Sequence, residues 1–414
     1  MNRRPELLVP ASSLEVLKVA VRYGADAVYI GGEAFGLRAK AKNFSMEDMR
    51  EGIRYAHAHG VRVHVTANIL AHNRDLPGMR AYFQELKELQ PDALIIADPG
   101  AFMLAREICP EIDIHVSTQA NNTNYLTYQF WHAQGAKRVV SARELSLAEI
   151  REIRENIPAD MEIESFIHGA MCISYSGRCL LSSYFTGRDA NQGACTHPCR
   201  WKYALVEETR PGEYLPVYEN ERGTFLFNSK DLCMLEHIPE LLASGIDSFK
   251  IEGRMKTALY VATVARTYRK AIDDCLESEE LWRQNLPWYR EQIRSCTYRE
   301  FTTGFYFGRP DEEGQIYDSN TYHKGYTYLG LVGEIEPTDG HCPAGCICTE
   351  QRNKFSVGET IEVMKPDGSS PAAKVLAIYD EEGNPMESAP HPQQKLYVQL
   401  TVEAEPLDVL RRKD

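Results

Sequence analysis

Short apolar runs alternate with stretches of helical period through the first 275 or so residues of the chain. LLVP at 7–10 reads as a buried strand, and LEVLKVAVRYG behind it repeats apolar residues at the spacing of a helix packed on one face. Ser12 with Glu15 makes a capping-box pattern at the start of that helix, and Gly24 ends it. The unit then recurs. Ser45 with Asp48 opens MEDMREGIRYAHAHG, Ser146 with Glu149 opens LAEIREIRENI, and a strand pattern follows each. Eight apolar strands emerge, at 7–10, 27–31, 61–68, 93–97, 112–118, 137–142, 162–167 and 247–252. Strands alternating with helices predict a parallel sheet, and eight of them predict a TIM-like (β/α)8 barrel. An open doubly wound sheet is the alternative. No dinucleotide-type glycine pattern follows the first strand, where the turn reads PASS.

The C-terminal ends of these strands are polar: Asn68, Asp98, Gln119, Asn121, Arg143, Glu144, His168, Glu252 and Arg254. Barrel enzymes build their active sites at that end, so these residues predict a polar mouth, although each alone also suits a helix cap. A long insertion, about 169–228, follows the seventh strand. Residues 280–325 read as a helical linker that completes a unit spanning 1–325. From 326 to 414 the period changes to two, in YLGLVGEI, FSVGETIEVM, AAKVLAIYD and KLYVQLTV, which predicts a small antiparallel β-barrel. Such a barrel suits binding a partner or a nucleic acid, or packing alone.

Composition narrows the class. No run of eighteen apolar residues is present, so no membrane span is predicted. MNRRPELLVPASSLEVL lacks the apolar stretch of a signal peptide, and the eleven cysteines are an odd number; together they predict a reducing, cytoplasmic setting. A net charge of −13 argues against a protein that coats nucleic acid. Between Glu164 and Tyr203, however, Arg178, Arg188, Arg200 and Lys202 face only two acidic residues, which predicts a locally basic site.

That same stretch holds Cys172, Cys179, Cys195 and Cys199, among the turn formers Gly177, Gly187, Gly193 and Pro198. Four thiols on bending loops predict a metal centre; buried small hydrophobes are the plain alternative. Zinc sites use two close pairs, and here only Cys195 and Cys199 are close, so the spacing favours a 4Fe-4S cluster over zinc. Tyr175, Tyr184, Phe185, Trp201 and Tyr203 are expected to shield it. Cys342, Cys346 and Cys348, with His341, form a weaker candidate for a second metal. Cys233 is a spare ligand at most, and Cys109, Cys275 and Cys296 read as helix-face core. HExxH and GxSxG patterns are absent, and Ser174, Ser176 and His168 are a weak basis for a protease.

At ESFIHGAMCISYSGRC the chain resembles the collagenase-like peptidase family U32, through Glu164, Phe166, Gly169, Cys172, Gly177, Cys179 and Ser182. The likeness runs on through DALIIADPG, HVSTQANNTN, RELSLAEI, QGACTHPCRWKY, FNSKDL, SFKIEGRMK and NKFSVGETIEVMKPDG. It implies an iron–sulfur protein that hydroxylates RNA bases or ubiquinone precursors without molecular oxygen. Members acting on tRNA make 5-hydroxyuridine at the wobble position, with prephenate as a required metabolite, and some work with a paralogous chain. The implied cluster ligands are Cys172, Cys179, Cys195 and Cys199. Arg143 and Arg254 are the candidate clamp for a carboxylate such as prephenate, because arginine holds a carboxylate through two parallel hydrogen bonds. A structural pair with Glu144 or Glu252 is the competing account. His168 is the candidate for proton transfer, whereas Glu164 suits a structural hydrogen bond. A collagenase-like peptidase and a nonenzymatic maturation protein remain as other classes.

Overall fold

The computed structural model describes residues 4–36, 43–172, 174–176, 178–201, 219–220, 223–224, 229–310, 323–333 and 343–414. Its first half repeats one unit: β1 (Glu6–Pro10), α1 (Leu14–Arg22), β2 (Ala27–Gly31), α2 (Met46–Ala58), β3 (Arg62–Thr66), α3 (Leu76–Leu89), β4 (Ala93–Ile96), α4 (Pro99–Ile108), β5 (Asp113–Val116), α5 (Tyr125–Ala133), β6 (Arg138–Val140), α6 (Leu147–Glu155) and β7 (Glu162–Ala170). The insertion contributes α7 (Leu181–Thr186) and a short ribbon of β8 (Glu219–Asn220) with β9 (Gly223–Thr224). The chain returns through β10 (Asp231–Cys233), α8 (Ile238–Leu242), β11 (Ser248–Ile251), α9 (Ala258–Glu277), α10 (Glu279–Ile293) and β12 (Phe301–Thr302).

The sheet closes. β1 to β7 pair in sequence, all parallel, and β11 pairs in parallel with both β7 and β1, through Ser248 opposite Glu164 and Glu6. The fold is therefore the eight-stranded barrel and not the open sheet. Among the described residues of the stretch expected as a helical linker, the helical part is α10, whereas β12 pairs with β10, which lies antiparallel to β7.

Local chemistry explains the helix starts. Ser45 and Ser146 each make the full capping box, with Asp48 and Glu149. The first helix differs from expectation. Ser13, not Ser12, is its cap, accepting from the Val16 amide, and Glu15 instead pairs with Arg352 at 2.9 Å. Asp98 is likewise a helix cap, accepting from the Ala101 amide at 2.9 Å.

Two environments result. Outward-facing strand residues and the inner faces of the helices merge into one apolar core. Inside the barrel, a small apolar cluster of Leu8, Ala27, Tyr29 and Ile95 sits beside a charged layer. There Arg138 donates to Glu6 at 2.5 Å, Glu162 at 2.6 Å and Glu164 at 3.0 Å, and Lys250 donates to Glu164 at 2.6 Å. This layer fills the barrel toward the N-terminal ends of the strands.

The remaining strands are β13 (Tyr326–Val332), β14 (Ile347–Gln351), β15 (Thr360–Met364), β16 (Ala372–Tyr379), β17 (Pro385–Met386), β18 (Lys395–Leu400) and β19 (Val409–Lys413). Six close into a second, antiparallel barrel in the order β15, β19, β13, β14, β18, β16, with β17 added at the side. It has its own apolar core. Against the large barrel, the Tyr23 hydroxyl donates to the Met364 carbonyl at 2.6 Å and Arg266 to the Lys365 carbonyl at 2.8 Å. Among the described residues no helix is long and apolar enough to cross a membrane.

Candidate functional site at the barrel mouth

A cavity of about 160 Å³ opens at the C-terminal ends of the strands. Its floor is inward-facing barrel residues: Tyr29 of β2, Thr66 of β3, Ser117 after β5, Phe166 of β7 and Lys250 of β11. Its roof is the insertion. Cys172, Cys179, Cys195 and Cys199 all line it, together with Arg143, Glu252 and Arg254. Thus the thiols and both arginines singled out in the sequence meet in one place, although up to 111 positions separate them along the chain, from Arg143 to Arg254.

Each wall has a local cause. The chain leaves β7 through Gly169, whose φ is +110°; a Cβ there would lie 2.5 Å from the Glu252 carbonyl oxygen. Only glycine fits that close approach, and it turns the insertion over the mouth. The loops are then pinned. Asn121 donates to the Ser176 carbonyl at 2.8 Å, and the Thr196 amide donates to the Ser182 hydroxyl at 3.1 Å. Arg254 donates to the Thr66 hydroxyl at 2.8 Å, which in turn donates to the Ile30 carbonyl at 3.1 Å. A Cβ on Gly31 would collide with the Arg254 guanidinium, so that glycine is what admits the arginine.

Arg143 lies with its guanidinium 4.0 Å from the centre of the Phe166 ring and donates to the Ala170 carbonyl at 2.9 Å. Its Nε is buried without a hydrogen-bond partner. Among the described residues, the carboxylate in ion-pair reach is Glu252, at the outer limit of 4.0 Å. Glu144 is half-buried, and burial raises its carboxyl above the usual range. The structural pair weighed against a ligand clamp is therefore long, and it involves Glu252 and not Glu144.

The four thiols are free of disulfides; Cys172 is exposed and the other three are half-buried. The His197 amide donates to the Cys195 sulfur at 3.4 Å. Among the described residues, no three of these sulfurs lie within 4.8 Å of one another. Four thiolates on one zinc ion stand about 3.8 Å apart, given Zn–S bonds of about 2.3 Å. Four thiols are also the donor set of a 4Fe-4S cluster, in which each sulfur holds a different iron.

Other candidates fall elsewhere. His168 is not in the cavity. The pairing of β7 with β11 slips between Lys250 and Ile251, so His168 stands opposite Ile251 while Phe166 stands opposite Lys250. This bulge turns His168 to the outer side of the barrel, where it packs against Tyr260, Tyr268 and Phe301. Burial pushes its imidazole down to about 4. Cys233 sits beside the Tyr268 hydroxyl at 3.7 Å, away from the cavity, and burial pushes its thiol up to about 11. Cys109 and Cys296 are buried and Cys275 half-buried. Cys346 is buried and Cys348 half-buried; Cys342 and His341 lie outside the described residues. Asn68 and Gln119 line the cavity, whereas Asn121 holds a loop.

A third group of potential ligands went unseen in the sequence: His64, His115 and Glu164, within 4.8 Å of one another inside the barrel. The alternation of β3, β5 and β7 put them on one side, but their meeting depends on closure. Both Glu164 oxygens are already taken by Lys250 and Arg138. Burial pushes His64 down to about 4 and His115 well below its ordinary value. With Arg138 and Lys250 alongside, a further cation is disfavoured, and the group is a structural layer under the cavity.

The rings expected to shield the thiols are largely open to solvent, although Tyr175 lines the cavity beside them. Tyr184 is 83% exposed, Phe185 46%, Tyr175 45% and Trp201 40%; Tyr203 lies outside the described residues. Arg178 is exposed and Arg188 half-buried, Arg200 lies in the short turn after Pro198, and Lys202 lies outside the described residues.

Comparison with known proteins adds the following. Residues 12–316 match the family model described as peptidase family U32, and residues 324–411 match its C-terminal domain. The chain is 40% identical over 412 residues to tRNA hydroxylation protein P1 of Bacillus subtilis, covering 100% of this chain and 96% of that one. It is 39% identical to tRNA hydroxylation protein P of Escherichia coli, covering 88% and 87%. It is also 38% identical to a 23S rRNA 5-hydroxycytidine synthase of Escherichia coli, over 67% of this chain and 40% of that one.

Proposed function

Because the chain belongs to peptidase family U32, we propose that it is an RNA-modifying hydroxylase that forms 5-hydroxyuridine at the wobble position of tRNA, without molecular oxygen and with prephenate as the linked metabolite. The observation that carries this reading is the convergence of four thiols and two arginines in one cavity, in a chain that matches a tRNA hydroxylation protein from end to end. Cys172, Cys179, Cys195 and Cys199 would hold a 4Fe-4S cluster at the roof. Bound there, the cluster would supply one-electron chemistry or an electrophilic iron beside the substrate.

The chain's own residues have separable tasks. Arg143 and Arg254 bind the carboxylates of the small anion. Thr66 orients Arg254, and the Phe166 ring packs against the Arg143 guanidinium. Phe166 and Met171 form apolar wall that keeps bulk water from the reacting base. Lys250 presents its ammonium at the floor, steadied by Glu164 and stacked 4.5 Å from the centre of the Tyr29 ring. Arg178 and Arg188 meet the phosphates of the RNA, and Arg200 and Lys202 add to the basic character of the same stretch of sequence. The setting is cytoplasmic, and a paralogous chain is a candidate partner.

The decisive measurement is nucleoside mass spectrometry of tRNA from a deletion strain without a paralogue. The expected result is loss of 5-hydroxyuridine and its derivatives, restored by the wild-type gene and not by the Arg143→Gln, Arg254→Gln double variant. Unchanged nucleosides, together with peptide-bond cleavage by the purified protein, would replace this reading with the peptidase one.

A further inference from the structure

The described residues carry six exposed aromatic rings, and four of them fall between Tyr175 and Trp201. Three form a continuous surface. Tyr184 and Phe185 meet edge to face at 5.1 Å, and Phe185 lies 6.2 Å from Trp201. Exposed aromatic rings are costly in water, and a cluster of them marks a surface that is covered in use.

The surface is rigidly tied to the cavity. α7 turns Tyr184 and Phe185 outward and its buried Ser182 inward. The Ser182 hydroxyl lies 3.0 Å from the Thr196 hydroxyl and accepts from the Thr196 amide, and the Thr186 hydroxyl donates back to the Ser182 carbonyl at 2.7 Å. Thr196 is the residue after Cys195. The rings on one face of α7 are therefore bolted to the loop whose thiols line the cavity. Tyr175, also exposed, lines the cavity itself.

Charge selects the occupant. Arg178 and Arg188 flank the rings, and among the described residues neither makes an ion pair, whereas most arginines of this acidic protein do. Rings and arginines also suit a protein contact, but here they adjoin a loop whose thiols line the cavity of a chain read as acting on RNA. A polyanion with flat apolar faces needs both rings and cations, and unpaired RNA is that polyanion.

We propose that Tyr184, Phe185 and Trp201 form a stacking platform for unpaired RNA bases, with Arg178 and Arg188 taking the intervening phosphates, and that this platform selects single-stranded loops over duplex and hands one base to the cavity. The inference rests on the RNA reading above and deepens it by naming the RNA form recognised. A paired base in an A-form duplex offers no free face to a ring, so stacking itself excludes helical RNA.

The test is binding, measured apart from hydroxylation. The probes are a fluorescein-labelled oligouridylate of about ten nucleotides, matched to the length one stacking site covers, and the same strand annealed to oligoadenylate. Wild type is expected to prefer the single strand. Tyr184→Ala, Phe185→Ala and Trp201→Ala each weaken it about tenfold at every salt concentration, while Tyr184→Phe, which keeps the ring, binds as wild type. Arg178→Gln and Arg188→Gln instead each flatten the salt dependence, by about 0.7 in the log–log slope. Equal binding of single strand and duplex, untouched by the ring substitutions, overturns the platform and leaves the RNA reading standing. Binding of neither probe overturns both. Unchanged RNA affinity with an altered sedimentation coefficient in the ring variants assigns the surface to a protein contact and also overturns the platform.

Discussion

Arg138 is almost wholly removed from water, and three carboxylates close around it. Burial alone would raise the Glu6 carboxyl, yet the Arg138 guanidinium beside it holds it down to about 2. Removing one partner from such a network leaves buried charge uncompensated, which costs more than the pair contributes. Arg138→Met is therefore expected to lose about 3–5 kcal/mol in urea unfolding; a loss under about 1 kcal/mol would mean that the layer relaxes and admits water. The thiols make a separate prediction. Cys172→Ala, Cys179→Ala, Cys195→Ala and Cys199→Ala should each lose iron and visible absorbance after anaerobic reconstitution, and Cys109→Ala, buried in the apolar core, should lose neither. Full iron content in the Cys172→Ala and Cys179→Ala proteins would remove those two from the ligand set.

At the scale of elements, the join of β7 to the insertion decides what the site contains. The bulge opposite Ile251 takes His168 out of the mouth, and Gly169 then folds the chain back over it. Gly169→Ala combines a disfavoured backbone with a collision against the Glu252 carbonyl, so it should cost about 2 kcal/mol or more. Because the strain falls at the root of the insertion, limited proteolysis should speed up between 172 and 201 before the barrel melts; unchanged cleavage would place the strain elsewhere. His168→Gln tests the other half. A side chain packed between Tyr260 and Tyr268 should lower the melting temperature when replaced while leaving kcat/KM within a few-fold. A large fall in kcat with an unchanged melting temperature would return His168 to the chemistry.

The molecule as a whole is acid-sensitive by construction. Burial holds His64 and His168 at about 4 and His115 well down, all beneath the ordinary value of 6.5. Below pH 6.5 the unfolded chain takes up protons that the folded one refuses, so stability is fully present above that pH and falls toward pH 4. Each histidine removes about 1.4 kcal/mol per pH unit across this window. Glu6 acts in the same direction lower down, between the ordinary carboxylate value of 4.5 and about 2. The urea midpoint should therefore drop between pH 7 and pH 5, and a flat profile would show that the histidines are hydrated. The two barrels share this fate, because Leu331, Met364 and Val409 of the smaller one belong to the apolar core of the larger. Much of this architecture was legible in the chain itself. The eight strands, the caps at Ser45 and Ser146, the second barrel and the clustering of thiols are local properties, written in periodicity, turn formers and spacing over a few residues. What only the folded molecule decided depends on neighbours far apart in sequence. Closure of β11 onto β1 put Glu6, Arg138 and Glu164 into one charged layer, a meeting that no spacing along the chain announces. A one-residue slip between β7 and β11 chose the face that His168 occupies. The rings at 184, 185 and 201, apolar by composition, were left in solvent, because burial is set by what surrounds a side chain and not by its own chemistry.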